Sequence, residues 1–106
     1  MTFLETPVFT ELISGMLSDE NYRRLQEFLL ISPTAGDLIP GTAGCRKLRW
    51  SLSGRAGGKR GGIRVIYYFR AAANQVLMLL AYDHRVVDDL THAQKKQLAN
   101  IVKQLK

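Results

Sequence analysis

Phe9, Leu12, Ile13 and Met16 recur at the spacing of one helical face. Thr6 and Pro7 stand just ahead of them as an N-cap and a proline at the first helical position. Ser18 opens a second helix, with Asp19 and Glu20 suited to its positive end and Tyr22, Leu25, Phe28 and Leu29 as its apolar stripe. Pro33 ends that helix, and "SPTAGDLIPGTAG" reads as a loop. From residue 45 the period falls from 3.6 to 2. Residues 45–51 place Cys45, Lys47 and Arg49 on one face and Arg46, Leu48 and Trp50 on the other. Residues 62–70 set Ile63, Val65, Tyr67 and Phe69 against Arg64, Ile66, Tyr68 and Arg70. Residues 75–84 are apolar on both faces until Asp83 and His84, which marks a central strand. The short link "AAAN" makes the last two strands antiparallel neighbours. Thr91 and Gln94 form a capping box ahead of a stripe of Leu98, Ile101, Val102 and Leu105.

With residues 2–6 read as a short strand, the order is β-α-α-β-β-β-α. The expected fold class is α+β: an antiparallel sheet of three to four strands, with two N-terminal helices and one C-terminal helix packed on it. At 106 residues the chain is expected to form a single domain, residues 1–106.

Composition adds little until charge is mapped by position. Apolar residues make up 46% and charged ones 23%, the balance of an ordinary globular chain rather than a disordered one. No apolar run approaches the roughly 20 residues that span a bilayer. The N-terminus has an early Glu5 and no basic flank, so no signal peptide is read and a cytoplasmic location without membrane contact is expected. One cysteine excludes an internal disulfide and leaves no metal-ligand spacing, so neither a metal nor a cofactor is expected.

The net charge of +6 is unevenly spread. Residues 1–45 carry Glu5, Glu11, Asp19, Glu20, Glu27 and Asp37 against Arg23 and Arg24. Residues 46–70 carry Arg46, Lys47, Arg49, Arg55, Lys59, Arg60, Arg64 and Arg70 with no acid at all. So one-sided a patch attracts a polyanion. A solvated basic face is the plainer account, but here the cations alternate with core residues on strands instead of crowding a tail.

Taken singly, Lys47, Arg49, Tyr82 and His84 are ordinary strand-face or strand-end residues. In an antiparallel sheet, however, the Lys47/Arg49, Arg64/Tyr68 and Tyr82/His84 rows sit side by side. Such a surface suits RNA cleavage through the 2′-hydroxyl: a base for that proton, an acid for the leaving 5′-oxygen, and cations for the phosphorane. A lysine crowded by arginines is a candidate base, and arginine offers a planar fork to phosphate oxygens. Either Tyr82 or His84 is the acid, and histidine's titration near neutrality favours His84. The lack of a carboxylate cluster argues against a magnesium nuclease.

The run "CRKLRWSLSGRAGGKRGGIRVIYYF", followed by "LMLLAYDHRVVDDLTHAQKKQLANIV", resembles the RelE/HigB family of type II toxins within the RelE/ParE superfamily. The likeness covers about Gly41 to Ile101 and is closest to the branch with a K-R-G-G-x-R-I/V-I-Y-Y-F strand and a D-L-x-x-x-Q-x-x-x-L helix. The resemblance implies a ribosome-dependent mRNA endoribonuclease, a toxin that blocks translation. It also implies a cognate antitoxin, helix-turn-helix and HigA-like, and a toxin–antitoxin complex on operator DNA. By position, the family's basic strand pair falls on Lys47 and Arg49, its phosphate-binding arginine on Arg64, and its last-strand tyrosine on Tyr82. Where the branch commonly has lysine two residues later, this chain has His84.

The expected catalytic set is therefore Lys47, Arg64, Tyr82 and His84. The expected RNA and ribosome contacts are Arg46, Arg49, Arg55, Lys59, Arg60, Tyr68, Lys95 and Lys96. In this reading the glycine-rich loop moulds onto RNA, and Tyr68 stacks a base. The alternatives are a ParE-like DNA gyrase poison and a non-catalytic RNA-binding module. Expression in cells separates them: cleaved mRNA marks a nuclease, and DNA damage with filamentation marks a gyrase poison.

Overall fold

The structure, a computed structural model, describes residues 1–52, 62–86 and 89–105. The elements in chain order are β1 (Thr2–Glu5), α1 (Pro7–Ser14), α2 (Asp19–Ile31), β2 (Asp37–Leu38), β3 (Arg46–Trp50), β4 (Ile63–Arg70), β5 (Gln75–Asp83) and α3 (His92–Gln104). The fold is α+β.

Each helix starts where its capping chemistry places it. Thr6 accepts from the Phe9 amide at 3.0 Å ahead of α1, and its own hydroxyl donates to the Leu79 carbonyl at 2.9 Å, tying the helix start to β5. Ser18 accepts from the Asn21 amide at 3.1 Å ahead of α2. Thr91 and Gln94 make both bonds of a capping box ahead of α3. Met16 continues the stripe of α1 in spacing but lies beyond its end, in the turn before Ser18.

The sheet differs from the expected antiparallel one. It has five strands in the order β1-β5-β4-β3-β2 and is mixed, because β1 runs parallel to β5 from Thr2↔Gln75 to Glu5↔Met78. A tight turn forces antiparallel pairing only on strands that it joins, and β1 reaches β5 through most of the chain instead. β5, apolar on both faces, needs a neighbour at each edge, and β1 fills the second. β2 is a two-residue strand inside the stretch expected to be loop, too short to leave a period in the sequence.

Each face of the sheet carries its own core. Phe9, Leu25, Leu29, Trp50, Val65 and Met78 belong to the core under α1 and α2. Cys45, Ile66, Leu79, Tyr82, Leu98 and Val102 belong to the core under α3. Arg70, the last cation of the basic run, donates to the Leu105 carbonyl at 2.7 Å and so satisfies the C-terminal end of α3. Among the described residues, no helix is long and apolar enough to cross a membrane.

A bulge in β5 decides what the α3 face presents. Ile66 pairs with Leu80 but Tyr67 pairs with Met78, so Leu79 is an extra residue. Before it, Leu77 and Leu79 belong to the α3-side core; after it, the phase flips and Tyr82 joins that core while Ala81 faces the other. An unbroken alternation would have put Tyr82 under α1 and α2.

Candidate functional site

Because of the bulge, Arg49, Arg64 and Tyr82 form one row across three strands: Arg49 pairs with Arg64, and Arg64 with Tyr82. Neighbouring strands lie about 4.8 Å apart, so the three side chains leave the sheet within roughly 10 Å of each other. Lys47 stands two residues from Arg49 on the same face, opposite Ile66.

Arg64 is only 7% exposed, and no carboxylate of the described residues lies within salt-bridge distance of it. A buried guanidinium is normally paired. Beside it, the Tyr82 hydroxyl is enclosed and has no hydrogen-bond partner among the described residues. Burial pushes the Tyr82 hydroxyl above its ordinary pKa, the charge of Asp89 pushes it the same way, and Arg64 pulls it down. A cation without a carboxylate partner among the described residues and a protonated donor without an acceptor thus lie side by side at the α3 face.

Asp89, in the connection between β5 and α3, completes the group. Its Oδ1 accepts from the Leu90 amide at 2.7 Å and lies 3.6 Å from the Lys47 Nζ. The Leu90 amide, and then the charges of Lys47 and Lys95, hold the Asp89 carboxyl below the usual range. Sequence reasoning assigned Asp89 no role. Two signals were available: Asp89 opens the D-L-x-x-x-Q-x-x-x-L run, and acids are rare there, since beyond Asp37 the chain has only Asp83, Asp88 and Asp89.

The remaining expected residues are distributed as follows. β5 ends at Asp83, one residue short of the expected strand, and His84 is exposed in the turn that follows, closed by the Val86 amide on the Asp83 carbonyl at 3.0 Å. There Arg85 grips the Asp83 carboxylate through its backbone amide at 2.9 Å and its guanidinium at 2.9 and 3.2 Å. Those bonds, with a smaller effect from the neighbouring His84, lower Asp83 to about 2. His84 is therefore held by a turn and not by the strand ladder.

Arg46 emerges on the opposite face, where its guanidinium donates to the Thr34 and Gly36 carbonyls at 3.1 and 2.8 Å. Tyr68 is on the α3 face but four residues along β4 from Arg64, about 13 Å at strand rise, half-buried over Gly44. Lys95 and Lys96 line a groove of about 420 Å³ between α3 and Pro40–Gly41, together with His92 and Lys103. Arg55, Lys59 and Arg60 lie outside the described residues. The structure thus brings Lys47, Arg49, Arg64 and Tyr82 together, adds Asp89, and leaves Arg46 and Tyr68 apart.

No protein-family model matches the chain.

Proposed function

We propose that this face binds single-stranded RNA and cleaves it by attack of the 2′-hydroxyl on the adjacent phosphate. The observation that carries the proposal is the buried Arg64, with no carboxylate of the described residues in salt-bridge range, beside the Tyr82 hydroxyl that has no hydrogen-bond partner among them. A phosphate offers acceptors to Arg64 and to the Tyr82 hydroxyl, and the unbonded hydroxyl costs the fold free energy without one.

In this reading Arg64 and Lys47 hold the phosphate and offset the charge that grows on its oxygens. Proton transfer falls to Tyr82 and His84. The 2′-hydroxyl gives its proton to His84, O2′ bonds to phosphorus, and the P–O5′ bond breaks as Tyr82 protonates O5′. A 2′,3′-cyclic phosphate and a free 5′-hydroxyl result. Burial keeps the proton on Tyr82 until the leaving oxygen needs it. This reverses the preference drawn from ordinary pKa values alone.

The likeness to RelE/HigB toxins supports the same chemistry and adds its setting: mRNA cut on the ribosome in the cytoplasm, and inhibition by a cognate antitoxin laid over the basic face. The lysine groove along α3 suits an anionic docking surface of that kind. Mapping mRNA ends in cells that express the wild type or Arg64→Ala tests it. New 5′-hydroxyl ends within translated regions, present with the wild type and lost with the variant, are expected. DNA damage without cleaved mRNA would overturn the nuclease reading in favour of a gyrase poison.

A further inference from the structure

Asp89 is a puzzle in the face just described. A site built to hold phosphate repels a carboxylate, yet Lys47, Lys95 and Tyr82, from three different elements, all feel the charge of this one. Asp83 is the other described acid of the C-terminal half, and Arg85 holds it. Helix capping does not explain Asp89, because Thr91 and Gln94 already cap α3.

The geometry of the pair is informative. The Lys47–Asp89 separation of 3.6 Å exceeds the roughly 2.7–2.9 Å of a tight charge-assisted bond. The side chains are 33% and 54% exposed, so water competes for both partners. Asp89 is anchored through the Leu90 amide, whereas Lys47 ends a flexible four-carbon stem. Such a pair is easily exchanged, and the lysine is the half that moves.

We propose that Asp89 competes with RNA for Lys47: its carboxylate holds the ammonium while no RNA is bound and yields it to a backbone phosphate on binding. The proposal rests on the reading of this face as an RNA site and assigns within it a residue that sets affinity. Asp89 keeps Lys47 directed at the site and lowers affinity for RNA that reaches this face without the further contacts a ribosome provides. A long-lived complex with free RNA would keep the protein from its target, so a weak internal rival has a use.

The test is binding of a short single-stranded RNA with 2′-O-methyl groups, which cannot be cleaved, measured by fluorescence anisotropy over a range of salt. Asp89→Asn retains an oxygen for the Leu90 amide and removes the charge; Asp89→Ser retains a shorter acceptor and guards against a folding defect particular to Asn. Both should bind about three- to tenfold tighter than the wild type at low salt. The slope of log affinity against log salt should steepen by about 0.7, the contribution of one added cation on a single strand. Glu27→Gln removes an equal charge from a pair with Arg23 on α2 and should change affinity less than about twofold. In a Lys47→Met background the gain from Asp89→Asn should vanish.

Unchanged or weaker binding by both Asp89 variants would overturn the proposal, as would a gain that survives intact without Lys47. If Lys47→Met and Arg64→Ala weaken binding while the Asp89 variants do not tighten it, competition fails and the RNA site stands. If Lys47→Met and Arg64→Ala both bind as the wild type does, the RNA site falls and the competition with it.

Discussion

Arg49 and Arg64 are direct partners across the β3–β4 ladder, two guanidinium side chains leaving one face of the sheet from opposed positions. Like charges placed so destabilise a sheet, and Arg64 is buried as well. An anion bound at this row, as the proposed function has it, would offset that repulsion.

Arg64→Met should accordingly leave the fold as stable or more stable, by up to about 2 kcal/mol, since the thioether fills similar space without a charge. The same change should lower RNA cleavage about a hundredfold or more. Urea denaturation and single-turnover kinetics on one preparation give both numbers. A large loss of stability would mean that Arg64 is a structural cation.

Tyr82→Phe keeps the ring in the α3-side core and deletes only the partnerless hydroxyl. Stability should be unchanged or rise by about 1 kcal/mol, because a buried polar atom without a bond is a cost removed. Cleavage should fall by about 10²–10⁴-fold if the hydroxyl protonates the leaving oxygen. A variant as active as the wild type would take Tyr82 out of the mechanism.

Gly62 sets the start of β4, two residues before Arg64. Its φ of +67° suits glycine, and a Cβ there would lie 2.6 Å from the Trp50 carbonyl oxygen, a backbone atom with little room to retreat. Gly62→Ala should cost about 2–4 kcal/mol and shift the Arg64 row. Denaturation midpoints and the amide spectrum of β3 and β4 report both effects.

On the opposite face, the Tyr67 hydroxyl donates to the Pro33 carbonyl and accepts from the Gly36 amide, each at 2.9 Å. It pins the chain between α2 and β2, and Tyr67→Phe should cost about 1–3 kcal/mol. Burial raises its pKa, so the folded value lies above the unfolded one of about 10. The stability of the neutral hydroxyl is then complete below pH 10 and lost as pH rises through the higher folded value. Burial raises Tyr22 and Tyr82 in the same direction. Cooperative unfolding should begin above pH 10, with the ionisation of Tyr22, Tyr67 and Tyr82, read at 295 nm, following it rather than preceding it.

Much of the fold was legible because local chemistry decides it. Thr6-Pro7, Ser18 and the Thr91/Gln94 box start their helices where the sequence placed them, and β3 and β4 alternate as written. The parallel pairing of β1 with β5 was not legible, since partners so distant in the chain leave no mark on either strand. The site was legible in part. Arg49 and Arg64 follow from simple alternation, whereas Tyr82 reaches them only through the bulge at Leu79, which a uniformly apolar strand conceals. Asp89 reaches Lys47 through the connection between β5 and α3, where no period applies.

The most direct test of the central claim is single-turnover cleavage of mRNA on programmed ribosomes at saturating protein. The wild type, Arg64→Ala and Arg24→Ala should be compared. Arg24 pairs with Glu20 on α2, away from the α3 face, and its loss should leave the rate within about twofold. Arg64→Ala should retain its fold and lose about a hundredfold in rate, the usual cost of one contact to a developing oxyanion. Equal rates for the two variants would contradict the placement of an RNA-cleaving centre at the Arg49–Arg64–Tyr82 row.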